Sequence, residues 1–360
     1  MENFTEAQNI SQDHSSFFFS SRGGLFCQDG WLSSKLIGDS FLWTWLILSF
    51  VSFVICMTLS GVLFYLYYWP SNITYEKWQR KSNPKYPSPE KVRDEIVQMC
   101  KAFLCSNVCP AVSIYSAAHQ GNDGSSDTSG FHITTKAYCG PAPSPWYHVA
   151  EFIGIMLVSD FFEFFYHYCG HTFKSLWSQH RHHHKFFNPS PFSVIADEFV
   201  DQFVRASPLL LFPLLVPINM DLMFFEFGTF FYFYGVYLHW GYEMDWPDAH
   251  HPILNTSFQH YCHHAKGVIG KPTHCGFFFK IWDQLFRCTY EGKCFCAKCE
   301  RRKGNRTKEQ FELVHIPDYS KLLRPSFWIQ AKVLTGTTSK DSNDDTTDGE
   351  NNDAVKRKGE

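Results

Sequence analysis

Residues 41–69 run for 29 positions without an Asp, Glu, Lys, Arg or His. A helix needs about 20 apolar residues to cross a bilayer, so this stretch is long enough to span it with some tilt. It starts too far into the chain and runs too long for a signal peptide. A buried core helix is seldom this long. Composition points the same way. Aromatic residues make up 18% of the 360 residues, and charged residues only 19%, below the roughly 25% usual in soluble proteins. The formal net charge of -3 leaves no basic footprint for nucleic acid. The 13 Cys are odd in number and irregularly spaced, which argues against a disulfide scaffold.

Three further regions are apolar but interrupted. Residues 102–118 contain Pro110. Residues 148–166 contain Glu151, Asp160 and Glu163. Residues 203–240 read as two runs joined by a turn at Pro217 to Asp221, a hairpin within the bilayer. Acids inside such segments are costly and usually face a cavity or a partner. Lys and Arg set the orientation. Only Arg22 and Lys35 precede the first span, whereas Lys77, Arg80, Lys81, Lys85, Lys91, Arg93 and Lys101 follow it. The N-terminus is therefore expected in the lumen and the C-terminus in the cytosol, which five crossings satisfy. Sequons at Asn3 and Asn9 lie on the side that could use them. Residues 120–145 read as a polar lumenal loop, and residues 335–360 as a disordered tail.

Twelve of the 18 His fall between positions 167 and 264. His167 and His171 form HxxxH. His180, His183 and His184 form HxxHH, as do His260, His263 and His264; His239 stands alone. On a helix, residues three and four apart share a face, so their imidazoles can converge on one ion or on adjacent ions. Eight clustered His are too many for one tetrahedral zinc and suit two metals of higher coordination number. Imidazole binds iron and zinc alike, so ligand type does not choose between them. Asp160 and Glu163 lie on the same helical stripe as His167 and His171. They read either as carboxylates accepting a ring N–H or as a polar helix contact. His182 is out of phase and is not assigned. His250 and His251 lie in a Pro/Asp-rich loop and stay open as ligands.

The ordered set resembles the membrane fatty acid hydroxylase / sterol desaturase superfamily, which includes C-4 methylsterol oxidases and C-5 sterol desaturases. The residues that carry the resemblance are Asp160 to His167, then His180 to Pro189, Tyr237 to Glu243, His260 to His264, and Ile281-Trp-Asp-Gln-Leu-Phe286. The resemblance implies a transmembrane helix bundle with a cytosolic helical cap holding a histidine-rich dimetal site. Its ligands would be His167, His171, His180, His183, His184, His260, His263 and His264, with His239 as a ninth. It also implies two Fe ions, O2 as cosubstrate, and electrons from NADPH through a b-type cytochrome and a reductase. Hydrogen would be removed from an unactivated C–H bond of a membrane lipid, giving an alcohol or an alkene. Departures fall at Glu243, four residues after His239, and at His274, which stands in His274-Cys-Gly where the family often has Asn-Tyr-Gly. Both are candidates for supporting the metal site.

The expected organisation is a lumenal segment 1–40, a first span 41–69, a cytosolic basic segment 70–101, and a catalytic domain 102–290. A Cys/Lys/Arg-rich extension 291–334 and the tail 335–360 follow. The location implied is the endoplasmic reticulum membrane, with the site facing the cytosol. Lys356 and Lys358 sit at the spacing of a cytosolic retrieval signal. Cys294-x-Cys296-x-x-Cys299 with Cys288 reads either as one tetrahedral zinc site or as unpaired thiols. Two other functions compete with a lipid oxidoreductase. One is a membrane metal transporter, which would place its ligands in broken helices near the midplane. The other is an inactive scaffold, which the complete set of box histidines disfavours.

Overall fold

The computed structural model describes residues 24–26, 40–119, 133–140 and 144–329. Asn3, Asn9, most of the 120–145 loop, and Lys356 and Lys358 lie outside these residues. Apart from one pair of two-residue strands, the regular structure of the described residues is helical. Helix α1 (Phe41–Tyr68) begins at Ser40, whose hydroxyl accepts the Trp43 N–H, and ends just before Pro70. Its 28 residues rise about 42 Å, more than a hydrocarbon core of about 30 Å. Most of its surface is apolar and exposed, including Leu42, Phe50, Val54 and Leu66. The short α2 (Tyr75–Trp78) then leads to α3 (Pro89–Ser106) and α4 (Val108–Ala118), which turn only slightly at Asn107.

Residues 89–118 and α1 are the two stretches long and apolar enough to cross a membrane among the described residues. The second begins well before residue 102, inside the stretch read as a cytosolic basic segment. The reason is local. Val92, Ile96, Met99 and Phe103 recur at helical spacing and are buried, although Asp94 and Lys101 lie between them. Pro110 sits in the first turn of α4, where its missing N–H costs no helical bond. The two rods are antiparallel: Phe41 meets Tyr115 and Phe53 meets Phe103.

Helix α5 (Pro145–Thr172) and α6 (Lys174–His180) carry the first box and the start of the second. A 3-10 turn, His183–Lys185, carries the rest of the second box. Helices α7 (Phe199–Ala206) and α8 (Pro208–Leu215) run away from the histidines. The chain reverses at β2 (Ile218–Asn219), which pairs in parallel with β1 (Ala137–Tyr138). It returns through α9 (Met220–Glu226), a π-helix (Phe227–Tyr232) and α10 (Phe233–His239). All nine box histidines therefore gather at the end of the bundle where α1 finishes. The β1–β2 pair closes the opposite end.

The third box occupies α11 (Ser257–Lys266), fixed at its start by a capping box between Thr256 and Gln259. The lower end of α1 is tied to the end of α10 by the Tyr68 hydroxyl, which donates to the Trp240 carbonyl at 2.8 Å. Gly241 follows with φ of 80°. A Cβ there would lie on the Tyr68 hydroxyl and 3.3 Å from the Pro189 carbonyl. Gly241→Ala combines a left-handed backbone with this collision. It is expected to cost at least about 1–3 kcal/mol. Thermal unfolding of the purified chain in detergent checks this, and an unchanged midpoint would contradict it.

Candidate metal centre

The nine histidines form two groups. His167, His171, His180, His184 and His263 make one; His183, His239, His260 and His264 make the other. In each group the candidate ligand atoms lie within 4.8 Å of one another. The contacts run through Nε2. His263 Nε2 is 2.9 Å from His167 Nε2 and 3.1 Å from His184 Nε2. His184 Nε2 is 3.1 Å from His171 and 3.3 Å from His180. In the second group, His260 Nε2 lies 2.8 Å from His239 and 3.1 Å from His264. His183 and His239 meet at 3.5 Å.

Six of the other ring nitrogens point outward to acceptors. His167 Nδ1 donates to the Cys275 carbonyl at 3.1 Å, His263 to Thr273 at 2.7 Å, and His239 to Gly235 at 2.8 Å. His171 reaches the Val268 carbonyl at 3.4 Å. His180 Nδ1 meets Asp201 at 3.1 Å, and His183 Nδ1 lies 2.7 Å from Asp197. These acceptors fix the tautomer with the proton on Nδ1. His167 and His263 then face each other with two bare lone pairs 2.9 Å apart, which no hydrogen bond can bridge. A cation between them resolves the repulsion. The donor set therefore fits a metal. Five imidazoles in the first group exceed the four ligands of tetrahedral zinc and suit a metal of higher coordination number.

Burial, followed by the neighbouring imidazoles, holds His184, His260, His263 and His264 well below the usual histidine range. Burial likewise pushes His180 down to about 3. These rings stay neutral at pH 7 and keep their lone pairs. His183 differs: burial opposes its charge, but Asp197 outweighs this and moves it up. A carboxylate on Nδ1 makes Nε2 a stronger donor to a metal.

The acidic residues singled out from sequence have other partners. Asp160 accepts N–H groups from Phe278 at 2.7 Å and Phe279 at 3.3 Å, and the Trp282 indole at 2.7 Å. It anchors the loop that carries the Cys275 carbonyl and touches no histidine ring. Glu163 pairs with Arg205, which lies near Asp197 and Asp201. Glu243 accepts the Ala297 N–H at 2.9 Å. His274, at φ of 49°, accepts the Tyr290 N–H at 3.3 Å and belongs to neither group. His182 pairs with Glu198 at 3.0 Å, also outside both groups. The carboxylates that do hold rings, Asp197 and Asp201, were not read from sequence. Their signal was an i,i+4 acid pair opening an apolar stretch.

Residues 152–288 match the fatty acid hydroxylase family model, a span that contains all nine histidines. Three curated relatives also match. A Delta(7)-sterol 5(6)-desaturase of Aspergillus fumigatus is 29% identical over 143 residues, 40% of this chain and 38% of that protein. One of Gibberella zeae is 25% identical over 143 residues, with the same coverage of 40% and 38%. A probable Delta(7)-sterol 5(6)-desaturase of Neurospora crassa is 26% identical over 146 residues, 40% of this chain and 39% of that protein.

Over these residues the chain is similar to the fatty acid hydroxylase family and to sterol desaturases. The match spans under two fifths of each relative's length. No solved structure matches significantly. The histidine helices α6, α10 and α11 and most of α5 fall inside the matched span, and the Cys294 to Cys299 segment falls outside it.

Proposed function

We propose that this chain is a di-iron, O2-dependent membrane oxidoreductase that hydroxylates or desaturates a lipid, with a sterol as the first candidate substrate. One observation carries the reading: nine buried or nearly buried imidazoles turn their Nε2 lone pairs inward, with six Nδ1 atoms set against outer carbonyls or carboxylates. His167, His171, His180, His184 and His263 would hold one iron, and His183, His239, His260 and His264 the other. Bound iron supplies the O2 and redox chemistry needed to break an unactivated C–H bond. The protein's own groups do the rest. Asp197 and Asp201 keep the Nδ1 protons of His183 and His180 in place. The sterol preference rests on the names of the three relatives.

The setting is a multi-pass endoplasmic reticulum membrane protein, with the histidines toward the cytosol and electrons from NADPH through a reductase and a b-type cytochrome. The Lys and Arg that follow α1 support this orientation. So does Cys139, which is disulfide-bonded on the end of the bundle assigned to the lumen. The 740 Å³ cavity lined by Trp78, Tyr86, Tyr261 and Arg306 contains none of the nine histidines, so it is not assigned as the substrate chamber.

The test is reconstitution of the purified full chain with NADPH, reductase, cytochrome and a panel of sterols, fatty acids and sphingoid bases. About two irons per chain and an O2-dependent product seen by mass spectrometry are expected. Full iron without turnover of any lipid would make the chain an inactive scaffold. Metal flux into proteoliposomes without oxidation would make it a transporter.

A further inference from the structure

We propose that His250, Cys294, Cys296 and Cys299 form a structural zinc site, separate from the nine-histidine centre, that braces the third histidine helix from its outer face. Their four candidate ligand atoms lie within 4.8 Å of one another. His250 Nε2 is 3.2 Å from Cys299 Sγ, 3.5 Å from Cys296 Sγ and 3.9 Å from Cys294 Sγ. A zinc bound tetrahedrally, with Zn–S of about 2.3 Å and Zn–N of about 2.0 Å, has ligand-to-ligand edges of about 3.5–3.8 Å. The observed spacings bracket that range. Hydrogen bonding does not account for them, because one ring nitrogen offers either one proton or one lone pair and here meets three sulfurs. All three cysteines are free thiols in the structure.

The surroundings are built to hold this arrangement. The Cys299 N–H points to Cys296 Sγ at 3.4 Å. His250 is set by its own N–H, which donates to Asp248 at 3.0 Å, and Asp248 pairs with Lys298 at 2.5 Å. The His250 loop and helix α12 (Ala297–Arg302) are thereby tied to each other beside the four ligands. Lys303, on the Cys294 carbonyl at 2.9 Å, adds positive charge beside three thiolates.

Cys288 is not part of the cluster. Its sulfur lies 3.2 Å from Asp283, packed with Phe164 and Cys275. The fourth ligand is instead His250, more than 40 residues away in sequence. Four protein ligands leave no open position, which is the pattern of a structural zinc. The mechanical consequence is visible in the packing. Cys296 is buried against Phe258 and Cys262 of α11, the helix that carries His260, His263 and His264. The Ala297 N–H holds Glu243, just beyond α10. One ion here would pin the ends of both histidine helices.

The test is metal analysis and zinc X-ray absorption on the full chain, purified in detergent under reducing conditions. About one zinc per chain is expected, with a first shell dominated by sulfur near 2.3 Å. The histidine centre has no sulfur ligand, so zinc lodged there would give a nitrogen-only shell and would overturn the proposal. Cys296→Ser and Cys299→Ser are expected to lower sulfur-bound zinc by about tenfold or more, while Cys288→Ser keeps it. If the serine variants do not fold, thiol titration of the unmodified chain with a mercurial reagent replaces them. Zinc released in step with about three thiols supports the site. No zinc release, a disulfide among these cysteines, or equal zinc loss in Cys288→Ser would refute it.

Discussion

His263→Ala is expected to strip iron from the first histidine group and lower lipid turnover by more than about a hundredfold. His263 is the hub of that group, with His167 and His184 both within 3.1 Å of its Nε2. Its loss removes a ligand and leaves the Thr273 carbonyl without its donor. Mutations of groups that only support a ligand typically cost 10–100-fold in metal affinity, so losing the ligand itself costs more. The control is His182→Ala. His182 is in the second box by sequence, but its ring faces Glu198 and belongs to neither group. It is expected to retain iron and turnover within about threefold. Iron content and product formation, measured on the same preparations, check both. Unaltered iron and turnover in His263→Ala would remove the basis of the proposed function.

Asp197→Asn carries the second large effect. The variant keeps the size of the side chain but loses the charge that lies 2.7 Å from His183 Nδ1. An amide can present its NH2 group to the ring, which favours the wrong tautomer and turns the His183 proton toward the metal. Iron affinity is expected to fall about 10–100-fold, and turnover with it. Excess ferrous iron in the assay should recover part of the turnover. Asp201→Asn, acting on His180, should behave alike. Iron titration followed by activity reads the shift, and identical titration curves for Asp197→Asn and the unmodified chain would show that Asp197 does not support the metal site.

The histidine set was legible because helical geometry turns sequence spacing into spatial proximity. The i,i+4 pairs His167 with His171, His180 with His184 and His260 with His264 each share a group, and nothing distant in the chain is needed to see that pairing. Residues that act across the fold left fainter traces. Asp197 and Asp201 reach back to the second box only because the 3-10 turn Pro191–Ile195 and α7 fold against it. Four histidines rely on backbone carbonyls of Gly235, Val268, Thr273 and Cys275, which no side-chain pattern encodes. Of the two readings left open for Asp160 and Glu163, ring acceptor or polar contact, they take the second. They share a stripe with His167 but lie two turns and one turn away along the axis, where loop amides and Arg205 claim them. His250 was left open because its sulfur neighbours lie far along the chain. The first span was plain from its uncharged length. The start of α3 was hidden because charges punctuate its apolar stripe.

His183 and His184 are neighbours in one 3-10 turn, yet their rings serve opposite groups. His263 and His264 divide in the same way on α11. Two short pieces of backbone therefore act as rungs between the two ion positions. An ion captured by the first group would immobilise both rungs and present the second set of nitrogens already arranged, without a further loss of chain entropy. Filling would then be all or none, with half-loaded chains scarce. A titration with substoichiometric iron should yield a mixture of empty and fully loaded molecules, resolvable by native mass spectrometry.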